Sequence, residues 1–277
     1  MPIATPAYAL IIFVAGTVAG ALGALLGLGG GIFLVPFLNL VLKFPLTAAA
    51  AISLTTVIAT SSSVSAGRTG KQLINMKLGM LLEVATAAGS ILGGVTALFL
   101  KDRQSILQKT FGVVAAMVAC IMLLRLQRRN VLLDPSAEPG LLGGRYYEQE
   151  TGGVVTYQVK RLPLAIGASF IAGNISSLLG IGGGIIKVPV LNAWCGVPLR
   201  AAAATSAFMI GVTATAGAVI YYGDGQLVPG LAAAAVLGVQ LGSWSGMRFG
   251  QHAPSKWLKL MMAAVLMIVS VVMFVRS

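Results

Sequence analysis

Polar and charged positions along this chain gather in clusters, and between them run apolar stretches at about 8–42, 46–66, 78–100, 110–126, 162–195, 199–222, 228–247 and 257–275. Most approach the ~20 residues that a helix needs to cross a bilayer, but two are too long. As one helix, 8–42 would measure about 50 Å against a hydrocarbon core of ~30 Å. It must break, and its glycines mark where: residues 27–36 read GLGGGIFLVP, and 180–189 read GIGGGIIKVP. Glycine is costly inside a helix and proline more so. The pattern therefore predicts, in each half, a helix up to the glycines, a short half-helix at about 32–42 or 185–195, a turn at Pro45 or Pro198, and three further helices. Between the halves, RYYEQE, TGG and VVTYQVK alternate and turn at glycine, which predicts a β-hairpin in an otherwise plain linker.

The two glycine motifs belong to a duplication. Shifted by 153 residues, Ala19–Leu54 matches Ala172–Ala207 at 20 of 36 positions without a gap. Gly27, Gly29, Gly30, Gly31, Pro36, Asn39, Pro45, Ala48–Ala51 and Ser53 pair with Gly180, Gly182, Gly183, Gly184, Pro189, Asn192, Pro198, Ala201–Ala204 and Ser206. Further on, Gly70, Gly89, Ser90 and Gly93 match Gly223, Gly242, Ser243 and Gly246. The expected organisation is a first membrane repeat over 1–126, a central loop with the hairpin over 127–161, and a second membrane repeat over 162–277.

Composition agrees with this pattern: 57% of residues are hydrophobic, 9% are charged and the mean hydropathy is +0.92, whereas a soluble domain carries ~25% charged residues. The fold class expected is an all-α integral membrane protein. The net charge of +12 comes from 19 Lys and Arg dispersed among loop ends, without a nucleic-acid-binding motif, so they read as topology determinants. If each half has an odd number of crossings, the second is inverted. The loops with Arg68, Lys71 and Lys77, then Arg125–Arg161, Arg200, and Arg248, Lys256 and Lys259 then share one face. The other keeps Lys43, Lys101, Arg103, Lys109 and Arg276. An uninverted reading divides the cations almost evenly. The expectation is two inverted repeats of about five segments each, with the central loop cytoplasmic. Cys120 and Cys195 lie in apolar stretches and offer no disulfide framework or metal spacing.

A helix interrupted inside the bilayer exposes backbone groups that only protein or a water-filled cavity can satisfy. After each GxGGG, free N–H groups at the start of the half-helix carry partial positive charge and form a place for an anion without any arginine. Glycine permits close approach to the backbone, and Pro36, Pro45, Pro189 and Pro198 set the breaks and turns. Two such ends facing one another is how secondary transporters hold an anionic group near the midplane. The competing reading is close helix packing through small residues. A nucleotide loop is excluded, because GIGGGIIK lacks the GK[ST] ending. Candidate site residues are Gly29, Gly30, Gly31, Asn39, Ser53, Thr56, Gly182, Gly183, Gly184, Lys187, Asn192, Thr205 and Ser206. Lys187 stands where the first copy has Leu34 and either faces the anion or snorkels to the interface. Glu83, an acid well inside a stretch and six residues past Lys77, is a candidate proton carrier or else a solvated or lysine-paired glutamate.

The paired motifs GLGGGIFLVPFLN and GIGGGIIKVPVLN, with the central GGRYYEQETGGVVTYQVKRL, resemble the TauE/SafE family of membrane anion transporters, also called the toluene sulfonate uptake permease family. The resemblance spans nearly the whole chain. It implies transport of small organosulfur anions such as sulfite, sulfoacetate or other sulfonates, most often export across a bacterial inner membrane, with neither enzymatic activity, cofactor nor nucleic acid. Hydroxyl and amide donors suit the three oxygens of a sulfonate. Two other readings remain at this stage: an anion channel with the same helix-end donors, and an intramembrane sulfur relay using Cys195. The sequence leaves the oligomeric state open.

Overall fold

The computed structural model describes residues 6–26, 29–66, 73–124, 138–148, 153–249 and 255–275. Gly27, Gly70 and the first part of the central loop lie outside them. Before the hairpin come α1 (Pro6–Leu26), α2 (Gly31–Pro36, continued by a π-helical turn over Phe37–Val41), α3 (Leu46–Ala66), α4 (Met76–Phe99) and α5 (Gln104–Leu124). After it come α6 (Leu162–Leu179), α7 (Gly184–Ala193), α8 (Leu199–Gly223), α9 (Pro229–Phe249) and α10 (Ser255–Val275). Among the described residues, six helices are long and apolar enough to cross a membrane: α1, α3, α4, α5, α6 and α8. The outward faces agree: Met80, Val84, Ile91 and Val95 form a helically spaced, exposed apolar stripe along α4, which suits lipid and not water.

The interruptions follow from local chemistry. Gly29 and Gly182, one repeat apart, have φ of +79° and +73°, and Gly180 closes α6 at +70°; an L side chain is strained in this region. The short helices end alike. Phe44 N–H donates to Leu38 O and Val197 N–H to Leu191 O, both at 3.0 Å, a bond reaching back six residues that caps the end of each short helix. The left-handed residue of that cap is Gly196 (φ +75°) in the second copy and Lys43 (φ +60°) in the first. Lys43→Gly is therefore expected to stabilise the protein by about 1 kcal/mol, read as a rise in the thermal unfolding midpoint in detergent. An unchanged or lower midpoint would show that Lys43 bears no such strain.

The helices exchange partners between the halves. α3 packs against α8 at the centre, α1 along α9, α4 along α6, and α5 along α10. Small residues permit the contacts. A Cβ on Gly89 would collide with Phe170 O and one on Gly93 with Asn174 O, while one on Gly242 would collide with Thr17 O and one on Gly246 with Ala21 O. These four collisions are two pairs related by the 153-residue shift. The repeats are thus distinct in sequence but interleaved in space. At the centre, Ala48–Ala51 and Ala201, Ala202 and Ala204 are buried where α3 meets α8.

In the central loop, β1 (Gly144–Glu148) pairs antiparallel with β2 (Gly153–Tyr157), Gly144 opposite Tyr157. The hairpin packs Tyr146 and Tyr157 against Leu191, Cys195 and Val197 at the end of α7. Lys160 N–H donates to Cys195 O at 2.9 Å. Asn75 caps α4 by accepting from Leu78 N–H and donates to Leu142 O and Tyr157 Oη, tying the hairpin to that helix.

Candidate functional site

The two breaks adjoin each other. A Cβ placed on Gly31, at the start of α2, would lie 2.5 Å from Ser53 Oγ and 2.6 Å from Gly180 O, which ends α6 in the other half. Ser53 Oγ donates to that same Gly180 carbonyl at 2.5 Å. One hydroxyl on α3 therefore satisfies an end-of-helix carbonyl across the repeats, so the interruption incurs no unmet acceptor there. At the second break, Ser206, the counterpart of Ser53, has its Oγ 3.3 Å from the position of a Cβ on Gly184. This hydroxyl is fully buried and has no hydrogen-bond partner among the described residues.

Lys187 gives the second break its charge. Side chains on a helix lean toward its N-terminus, so Lys187 folds back over the glycines, its Cε 3.5 Å from the position of a Cβ on Gly183. It is 1% exposed. Its Nζ donates to Thr213 Oγ1 at 3.2 Å and lies 3.7 Å from Glu83 Oε2. Thr213 Oγ1 lies 2.8 Å from Glu83 Oε1 as donor, with Met209 O at 3.0 Å as the competing acceptor. Lys187 does not snorkel. Glu83 pairs with Lys187 and not with Lys77, because α4 lies along α8 and brings position 83 to the second break. Among the described residues Glu83 Oε2 accepts no hydrogen bond, and the Glu83 side chain is 12% exposed. Thr213, which bridges the two charges, was not singled out by the sequence. Its only prior signal is that Thr60 stands 153 residues earlier.

Other candidates stand apart. Asn39 Nδ2 donates to Phe44 O and Asn192 Nδ2 to Val197 O, at 2.8 and 2.9 Å. The same bond in both copies shows that these amides fasten the turn at the far end of each short helix. Thr56 Oγ1 donates to Ser53 O within α3, and Thr205 Oγ1 accepts from Asn75 N–H at the foot of α4. Pro36 and Pro189 sit inside the short helices, while Pro45 and Pro198 precede α3 and α8.

Two hollows flank this arrangement. Beside the first break, Gly29, Thr60, Ser61, Val64, Ala207 and Ile210 line a cleft of about 10 Å³, room for a single water. At the far end of α2, Asn39, Lys43, Gln104 and Gln108 are among the residues around an open cavity of about 460 Å³. The cleft beside the first break is thus narrow in this conformation. Cys195 lies under the hairpin, where burial pushes its thiol above the ordinary value, opposed by Arg161. The thiolate is the reactive form, so this environment does not favour a nucleophile. Among the described residues, no three of His, Cys, Asp and Glu come together as metal ligands.

A family model described as "Sulfite exporter TauE/SafE" matches residues 12–273. The chain is 28% identical over 268 residues to "Probable membrane transporter protein YunE" of Bacillus subtilis (strain 168), covering 94% of this chain and 95% of that one. It is 25% identical over 273 residues to "Probable membrane transporter protein MJ0441" of Methanocaldococcus jannaschii, covering 92% and 91%. No solved structure matches.

Proposed function

The chain belongs to the sulfite exporter TauE/SafE family, a multi-pass membrane transporter family, and on that premise we propose that it is a secondary transporter exporting small organosulfur anions, sulfite or sulfonates, across the cytoplasmic membrane. The observation that carries this reading is Lys187, a buried cation folded over the start of α7 where the two glycine breaks adjoin. A charge inside a membrane protein is costly and marks a functional path. The ammonium, the N–H groups at the start of α7 and the unpartnered Ser206 hydroxyl converge on one region, and together they suit a tetrahedral oxyanion.

In this proposal the halves are inverted repeats, for which the matched partner exchange of α1–α9 and α4–α6 is the support. Interleaving decides what moves. The sequence halves are clasped together and cannot rock as units. The bodies free to shift are α1–α9 with α2 on one side and α4–α6 with α7 on the other, about the α3–α8 pair. Such a shift would open the centre to each face in turn. A carrier also fits the narrow cleft better than a channel, which needs a continuous pore.

The test is flux into proteoliposomes. Sulfite and methanesulfonate are expected to enter saturably and to be accelerated by the same anion on the other side. Absence of flux for both, with unrelated solutes crossing, would refute the substrate class. Large unitary currents would replace the carrier by a channel.

A further inference from the structure

Glu83 occupies the position a substrate anion would need, beside the one buried ammonium that the described break residues provide. We propose that Glu83 is an exchangeable internal counter-ion whose displacement couples each transported anion to one proton, an inference that rests on the anion-transport reading above. In this conformation Lys187 is neutralised by Glu83. An incoming monoanion takes over the ammonium, and the carboxylate loses its counter-charge in a poorly solvated place. An uncompensated buried charge is strongly unfavourable, so Glu83 accepts a proton from the water that enters with the substrate. When the anion leaves on the far side, Glu83 releases that proton there and pairs with Lys187 again. One anion and one proton move together, and the cycle carries no net charge.

Geometry supports exchange over a permanent structural pair. The contact is loose: Nζ and Oε2 stand 3.7 Å apart, Oε2 accepts no hydrogen bond among the described residues, and Thr213 connects the two groups through Oε1. A pair built only for stability has its remaining lone pairs satisfied. Among the described residues of the helices packed around the pair, no other charge competes: α6, packed along α4, has no titratable side chain between Leu162 and Leu179. α7 contributes only Lys187; on α8, Arg200, Tyr221 and Tyr222 lie toward the ends; on α4 itself the other charge is Lys77, at its start. The repeat argues likewise. The counterparts of Glu83, Lys187 and Thr213 are Val236, Leu34 and Thr60, so the charges were placed in one copy while the threonine is common to both. There, Thr60 lines the small cleft beside Gly29. Where the first break has a hollow, the second has an ion pair.

Methanesulfonate is the informative probe, because a strong acid carries no proton of its own near neutral pH. Proteoliposomes holding a trapped pH indicator are given an inward methanesulfonate gradient, and radiolabelled uptake is measured in parallel. Wild type is expected to acidify the lumen by one proton per anion, and its apparent affinity to rise up to about tenfold per unit fall in pH over the linked range. Glu83→Gln is expected to bind methanesulfonate more tightly, with no pH dependence, and to move it without protons. Should that variant not fold, the wild-type proton count and pH dependence still decide. Uptake without protons, with affinity independent of pH, would overturn the coupling while leaving the transport reading intact. Failure of methanesulfonate and sulfite alike to bind or move would overturn both.

Discussion

Replacing Gly180 by alanine is expected to destabilise the folded protein by about 2–5 kcal/mol, enough to leave little transporter to assay. Two causes add. Gly180 has φ +70°, which costs an L-residue about 1–2 kcal/mol. The new methyl would also stand 2.5 Å from Ala50 Cα and 2.8 Å from Ala50 Cβ, in the packed centre between α3 and α6. Overpacking of that kind costs about 1–3 kcal/mol, and the neighbour here is backbone that cannot step aside. The control lies on the same helix. Gly167 is exposed, with nothing near a new Cβ, so Gly167→Ala should hold or raise the unfolding midpoint through better helix propensity. Fluorescence-detected unfolding in detergent compares the two. Equal midpoints would mean that the close approach of the breaks does not carry the fold.

The second large effect is Lys187→Met. Removing the ammonium leaves the largely buried Glu83 carboxylate without its counter-charge, and breaking one side of such a pair costs about 3–5 kcal/mol. The unfolding midpoint near neutral pH should fall by many degrees. Adding Glu83→Gln should recover most of the loss, because the pair is then replaced by groups that need no counter-charge. Non-additivity is the signature. A double variant as unstable as the single one would show that Lys187 acts through packing alone. The double variant should in any case bind no sulfonate, since the ammonium is gone.

Much of this architecture was legible in the sequence because it follows from local chemistry. An apolar stretch too long for the bilayer, glycines in its middle and a proline beyond located α2 and α7, and alternation with a glycine turn located the hairpin. The repeat itself made the second copy a check on the first. What the sequence withheld depends on contacts between distant segments. Nothing local at Gly89 or Gly242 says that the helices packed against them are α6 and α1 instead of neighbours within the same half. For the same reason Lys77 was an expected partner for Glu83, while the true partner sits on α7 in the other repeat. Asn39 and Asn192 illustrate a different limit. A duplicated polar residue after a break suits a ligand or a cap equally well, and only the bonds to Phe44 O and Val197 O show the amides fastening a turn.

The most direct measurement is an experimental structure determined with saturating methanesulfonate. The sulfonate is expected at the second break, its oxygens within hydrogen-bond distance of Lys187 Nζ and the N–H groups that begin α7, with Glu83 turned away from the ammonium. A sulfonate lodged only in the outer cavity beside Lys43, with the Glu83–Lys187 pair intact and the breaks still sealed, would contradict it.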